Sequence, residues 1–322
     1  MTSSIEKAAQ RLEQLRKAGA VLPGDKPRVQ NPGMPDESQP LNHVPQFAAP
    51  AADGDHAAPE LRAVSKTVQL DLTALSASGF VTPGSPRSVT TDQYRVIKRP
   101  LLENAMGKGA SLVTNGNLIM VTSALPGEGK SFTAINLAMS LAMELDHTVM
   151  LVDADVTRPS VMSKLGLPPA AGLLDMLRGG QTKLADVLLR TNVEGLTLLP
   201  AGLPHDRATE LLASDAMTDL LDEMSKRYSD RIIIFDSPPL LLTTEARVLA
   251  NHMGQVVVVV GAERTLQSEV AHALSTIEAC PIKLVVLNQV RSQGLGAHGY
   301  GYGYGHGGYG RATEERMPAA AA

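Results

Sequence analysis

The chain has 322 residues and a formal net charge of −4, enough length for one large or two modest domains. That balance leaves no basic footprint for nucleic acid. A single cysteine, Cys280, excludes a disulfide framework and a Cys-rich zinc or iron–sulfur site, and suits a reducing cytoplasm. The first turns carry Glu6, Arg11, Glu13, Arg16 and Lys17 instead of the apolar core of a signal peptide. No apolar run reaches the roughly 18–20 residues of a membrane span, so a cytoplasmic chain is expected, with any membrane link made through a partner.

In chain order, residues 1–19 read as an amphipathic helix. Ile5, Ala8, Ala9, Leu12 and Leu15 share one face, and Gly19 ends it. It is either a docking element or a solvated terminus. Residues 20–66 form a linker punctuated by Pro23, Pro27, Pro32, Pro35, Pro40, Pro45, Pro50 and Pro59. Such a stretch buries too little apolar surface to offset its ordering entropy, so disorder is expected. From residue 67 the pattern tightens. Val68, Leu70, Leu72, Leu75, Phe80 and Val81 precede Pro83-Gly84 and are expected to pack on the edge of the following domain.

A helix is expected from Asp92, capped by Thr90 or Thr91. It places Asp92, Arg95 and Lys98 on one exposed stripe, which spacing alone reads as a solvated salt-bridged face. Beyond it, strands at 118–122, 148–152, 196–199, 232–235, 256–260 and 284–287 alternate with helical patterns. Those patterns lie at 172–177, 184–189, 209–228 and 266–279. The strand runs are continuously apolar, as in parallel sheets covered on both faces. One doubly wound, mostly parallel α/β domain is therefore expected over 67–292. Residues 293–322 form a tail rich in Gly and Tyr, holding Tyr300, Tyr302, Tyr304 and Tyr309, four of the chain's six tyrosines. It has nothing to pack and should be mobile.

The stretch 118–137 carries the strongest signal. An apolar strand, a turn with Pro126, Gly127, Glu128 and Gly129, then Lys130, Ser131 and a helical spacing form the context of a phosphate-binding loop. Backbone N–H groups at a helix N-terminus would face an anion, Lys130 adds a charge, and Ser131 suits Mg²⁺. The usual first glycine is Ala124, so the match is to a relaxed pattern. Three acids follow strands on the same expected edge, where open α/β sheets bind ligands. Asp236 ends Ile-Ile-Ile-Phe-Asp and has the form of a Walker B metal acid. Asp153 and Asp155 are two apart and would leave one face if the strand persists, one as metal ligand and the other as base. A single acid after a strand is more often a cap or turn residue; three in this order are not.

Together these stretches resemble the bacterial tyrosine kinases, which use a P-loop NTPase fold with Walker A, A′ and B motifs. The resemblance rests on residues 124–131, 149–159 and 232–239, with further blocks at 172–179, 210–214 and 285–290. It implies ATP and Mg²⁺ as cofactors. Pro126, Gly127, Glu128, Gly129, Lys130, Ser131, Phe132 and Asn288 would contact the nucleotide. Ser131, Asp153 and Asp236 would hold the metal, and Lys130, Asp153, Asp155 and Asp236 would carry catalysis, with Asp153 or Asp155 activating the phenol. Autophosphorylation would fall on Tyr300, Tyr302, Tyr304 and Tyr309, in trans between subunits.

The resemblance also implies a homo-oligomer, ring-like in one form, a membrane chain-length regulator (polysaccharide co-polymerase) as activator, and a tyrosine phosphatase. Likeness to autokinases of exosortase and exopolysaccharide systems implies control of exopolysaccharide polymerisation and export. The family's E-x-x-R-x-x-R subunit contact appears as Asp92, Arg95 and Lys98, where Lys cannot reproduce a bidentate Arg contact. Glu245 stands where many relatives carry Asp. Two other readings remain at this point. A partition or septum-placement ATPase would usually have a signature Lys at Leu125, and an ATP-binding scaffold would lack phosphotyrosine.

Overall fold

The structure is a computed structural model that describes residues 66–109, 112–179, 182–228 and 230–290. The N-terminal helix, the linker and the four tail tyrosines lie outside the described residues. In chain order the first half runs β1 (Lys66–Val68), α1 (Leu72–Ala77), α2 (Val89–Ala105), β2 (Leu118–Ser123), α3 (Lys130–Ala142), β3 (Thr148–Asp153), α4 (Val161–Lys164) and α5 (Leu173–Leu177). There follow α6 (Leu184–Val187), β4 (Leu189–Thr191), β5 (Leu196–Leu199), α7 (Ala208–Leu212), α8 (Asp215–Arg227), β6 (Arg231–Asp236), α9 (Thr244–Ala250), β7 (Gln255–Gly261), α10 (Gln267–Ser275) and β8 (Ile282–Asn288).

The eight strands form one sheet in the order β1-β4-β5-β3-β6-β2-β7-β8. Every pair is parallel except β4 with β5. Alternate strand residues point to opposite faces, so the sheet carries two cores. Met120, Met150, Val152 and Phe235 pack with Leu173 and Leu221 on one face. Ile119, Val121, Leu151 and Ile234 pack with Leu101, Leu137 and Leu141 on the other. Full coverage of both faces explains why the central strands read as unbroken apolar runs. Register then sets the site. Asp153 stands beside Asp236 across β3 and β6, and Asp236 beside Val121 across β6 and β2. Both acids thus emerge level with the start of the phosphate loop.

The segment after residue 66 packs on the sheet edge as its pattern suggested. β1 pairs with β4, and Leu70, Leu75 and Val81 are buried in the second core. Four details differ from the sequence reading. Helix α2 begins at Val89, because the Ser88 hydroxyl caps it by accepting the Thr91 N–H at 3.1 Å, and it continues through Pro100. The pattern at 184–189 splits, α6 ending at Val187 so that Leu189–Thr191 can pair between β1 and β5. The pattern at 209–228 is two helices, separated where Ser214 caps α8.

The fourth concerns the stripe on α2. Asp92 and Arg95 are exposed and paired at 3.2 Å, but Lys98 is buried. Its ammonium donates to the Ser140 carbonyl at 2.6 Å and pairs with Glu144 at 2.7 Å. Lys98 therefore joins α2 to α3 and its neighbouring turn, and is not part of an exposed contact stripe.

Candidate active site

The loop between β2 and α3 is built by its two left-handed glycines and by ties to the far side of the sheet. Gly127 and Gly129 have φ of 83° and 96°, a region that costs a side chain strain. At Gly129, the N-cap of α3, a Cβ would also overlap the Asn288 amide. Asn288 and Gln289, at the end of β8, donate to the carbonyls of Glu128 (2.8 Å) and Gly127 (2.9 Å). The Glu128 carboxylate is buried. It accepts the N–H of Leu125 at 2.6 Å, the N–H of Gly261 at 3.1 Å and the Thr265 hydroxyl. Its side chain therefore braces the loop, leaving only its backbone free to meet a ligand. Phe132 also turns away: its ring meets Phe80 at 5.0 Å and lines a groove between α2 and β8.

Lys130, Asp153, Asp155, Asp236 and Ser131 come together as the motifs suggested. The Lys130 ammonium donates to Asp155 Oδ2 at 2.5 Å and lies 3.9 Å from Asp236 Oδ1. Asp155 lies just past the end of β3, and its Oδ1 accepts the Thr157 hydroxyl and the Arg158 N–H at 3.0 and 3.1 Å. Asp153 Oδ2 accepts the N–H groups of Ser160 and Val161 at 3.1 and 3.0 Å, and the Ser160 hydroxyl donates to Ser131 Oγ at 2.9 Å. Asp153 Oδ1 and both oxygens of Asp236 are buried and have no hydrogen-bond partner among the described residues. Burying acceptors unmatched is costly.

Electrostatics report the same imbalance. Burial, then the nearby Asp236 and Asp155 charges, push the Asp153 carboxyl up to about 7 against the pull of the Val161 N–H and Lys130. Burial pushes Asp236 up to about 6, with Asp155 adding to it and Lys130 and the Ser131 hydroxyl opposing. Three acids thus share one lysine, which leaves an excess of negative charge where a cation is favoured. Among the described residues no group of three or more His, Cys, Asp or Glu forms a metal cage. Mg²⁺ needs none, since it is usually held by one or two carboxylates with phosphate oxygens and water. The unpartnered oxygens of Asp153 and Asp236, beside Ser131, fit that donor set.

The space in front of Lys130 is a cleft of about 570 Å³ lined by Pro126, Gly127, Lys130, Asp155, Arg158 and Pro239 among others. Sequence reading missed the contributions of Thr157, Arg158, Leu242 and Thr243, which sit on turns with no periodicity. Thr157, Arg158 and Pro239 do fall inside the stretches 149–159 and 232–239, and that was their only signal. Glu245 is buried on α9. Burial raises its carboxyl, but its own N–H and the Thr209 and Thr244 hydroxyls outweigh that and hold it below the usual range. Among the described residues no helix is long and apolar enough to cross a membrane.

Comparison with known proteins agrees with this geometry. An AAA domain family model matches residues 116–284, slightly more than half of the chain. The tyrosine-protein kinase YwqD of Bacillus subtilis (strain 168) is 32% identical over 200 residues, covering 62% of this chain and 80% of that one. The tyrosine-protein kinase ptk of Acinetobacter johnsonii is 33% identical over 56% of this chain but only 24% of its own length. Several relatives are thus much longer than the part they share. The solved BceF tyrosine kinase domain superposes with a TM-score of 0.53 at 26% identity, covering 69% of this chain and 91% of that one. The loop, the acids and these relatives together place the chain in the bacterial tyrosine-protein kinase family, enzymes built on a P-loop AAA-type domain.

Proposed function

We propose that the chain transfers the γ-phosphoryl group of ATP to tyrosines of its own tail, Tyr300, Tyr302, Tyr304 and Tyr309, between neighbouring subunits. One observation carries the reading. Lys130 sits at the helix N-terminus within 2.5 Å of Asp155 and 3.9 Å of Asp236, beside carboxylate oxygens that accept no hydrogen bond among the described residues. Backbone N–H groups of the loop would hold the β- and γ-phosphates, and Lys130 would leave Asp155 to meet them. Ser131, Asp153 and Asp236 would hold Mg²⁺, which neutralises charge developing on the transferring group.

A phenol has a pKa near 10, so attack at pH 7 needs a nearby carboxylate to take the proton. Asp153 and Asp155 are the two that qualify. The new bond joins the phenol oxygen to the γ-phosphorus, and the bond to the β-phosphate bridge breaks to release ADP. Alternating Gly and Tyr makes the tail a set of acceptors with little steric cost. Four phosphotyrosines would add roughly −6 to −8 of charge. Their repulsion gives a switch, with assembly when unmodified and release when phosphorylated, reset by a tyrosine phosphatase. A membrane chain-length regulator as activator, and control of exopolysaccharide polymerisation and export, complete the reading. The relatives' kinase names favour it over a partition ATPase or a silent scaffold.

The test is intact mass after incubation with Mg·ATP and a cytoplasmic fragment of the regulator, alongside Lys130→Ala. Phosphate on tail peptides of the wild type, reduced by about 10³-fold or more in the variant, is the expected result. Nucleotide binding without phosphotyrosine in either protein would overturn it.

A further inference from the structure

The sheet has two outer strands, and they differ in how much edge they leave open. β1 is three residues long, whereas β8 runs for seven, Ile282–Asn288. β8 pairs with β7 on one side only. Half of its backbone N–H and C=O groups therefore point away from the sheet, and no described strand meets them. Natural edges are blunted by shortness, charge, proline or a covering element. Here Lys283 is the one charged residue on the strand. Its ammonium folds back onto the Glu278 and Cys280 carbonyls at 3.2 and 2.7 Å. Val285 and Leu287, with Val290 just beyond, are each more than half exposed.

Beside this edge lies a groove of about 480 Å³ between β8 and α2, lined by Tyr94, Val96, Ile97, Phe132, Val285 and Leu287 among others. None of its lining side chains is charged, and it shares no lining residue with the Lys130 cleft. An open strand edge next to such a groove is the kind of surface that takes an extended segment. Main-chain hydrogen bonds give affinity there, and the groove receives alternate side chains.

The chain itself supplies such a segment. Residues 299–305 read Gly-Tyr-Gly-Tyr-Gly-Tyr-Gly. Because a strand repeats every two residues, Tyr300, Tyr302 and Tyr304 would leave one face of an added strand and the glycines the other. The tail starts where β8 ends, and Gln289 takes a left-handed φ of 61°, a conformation that turns use. The segment 291–299 spans up to roughly 30 Å, against about 23 Å for the length of β8, so the repeat reaches any part of its own edge. We propose that residues 300–304 fold back and add to β8 as an antiparallel strand, with the three rings over the groove beside α2. The docking stands apart from any phosphoryl transfer. Its release rests on the kinase reading above, since each phosphate brings roughly −1.5 to −2 of charge that no cation lining the groove would match. A docked tail is withheld from a neighbour's cleft, and phosphorylation keeps it off the edge.

The experiment follows amide hydrogen exchange of residues 282–288 by NMR in the full chain, without nucleotide, at two protein concentrations. Tyr302→Pro with Gly303→Pro removes a tail N–H whichever set of residues faces β8. Val285→Lys with Leu287→Lys places charge on the edge itself. The β8 amides that point away from β7 should exchange at least about tenfold more slowly in the wild type than in either double variant. Preincubation with Mg·ATP should bring the wild type to the variants' rate. Equal exchange in all three proteins would overturn the docking, and phosphate found on the tail in that case would leave the kinase reading standing. Protection lost in both variants of a chain that transfers no phosphate would uphold the docking and sink the kinase reading. Protection that persists once the tail is phosphorylated would overturn the release. Protection that survives the prolines and falls on dilution would assign the edge to a second copy of the chain and overturn the proposal.

Discussion

Two lysines among the described residues are nearly buried, and their surroundings differ in kind. Lys98, 5% exposed along its side chain, meets one carbonyl and one carboxylate, Ser140 and Glu144, at 2.6 and 2.7 Å. Its charge is matched one for one, and Glu144 is held below the usual carboxylate range, chiefly by its hydrogen bond from Lys98. Lys130, 13% exposed, faces Asp155 and Asp236 with Asp153 nearby, and three carboxylate oxygens there accept no hydrogen bond among the described residues. One region is a finished joint between helices. The other is short of positive charge and of donors, which a bound nucleotide with its cation would supply. Buried imbalance of that sort marks function, because a purely structural site would have resolved it.

The comparison breaks most visibly at Asp236. Asp236→Asn should lower tail phosphorylation by about 10²–10³-fold, as loss of a charge-stabilising group does, yet it should make the ligand-free protein more stable at pH 8. Asp236 and Asp153 hold protons more tightly folded than unfolded, with carboxyls raised to about 6 and about 7. Their contribution is therefore fully present below about pH 4, the unfolded value, and is lost as pH rises through 6 to 7. Melting curves should show the Asn variant ahead by about 2–6 °C at pH 8 and level with wild type near pH 4. A variant that melts lower at both pH values would show that the site is not strained by charge.

Lys98→Ala should do the reverse. It leaves the Ser140 carbonyl and Glu144 unpaired, at a cost of about 1–3 kcal/mol, read from urea midpoints. In the folded fraction, affinity for ADP should be unchanged. Arg95→Ala defines the small end, because the Arg95–Asp92 pair is exposed on both sides. Its loss should move stability by no more than about 0.5 kcal/mol, so any large effect of Arg95→Ala on sedimentation would come from contact between subunits.

The phosphate loop and its acids were legible in the sequence because each followed a strongly apolar strand, and strand ends converge on one edge of an open sheet. Register did the rest, setting Asp153 beside Asp236. Lys98 was misjudged because a step of three residues falls short of a full helical turn, so two steps carry Lys98 about 120° around α2 from Asp92, off the exposed stripe and onto α3. Strands β1 and β4 are three residues each, too short to show a period, and are held by pairing rather than pattern. The role of Glu128 was hidden for a different reason. Two of its three partners, Gly261 and Thr265, lie more than 130 residues away, and nothing in the nearby sequence distinguishes a bracing acid from one that meets a ligand.

The central claim is that Asp153 and Asp236 are short of a cation which Mg²⁺ supplies beside Lys130. Titrating Mn²⁺, a paramagnetic stand-in, into the full chain with ADP and following the free-ion resonance tests it most directly. The account predicts one site per chain in the wild type, weakened by about 10–100-fold in Asp236→Asn, the range seen when a metal site loses a supporting group. Equal Mn²⁺ affinity in both proteins, with ADP bound in both, would contradict it.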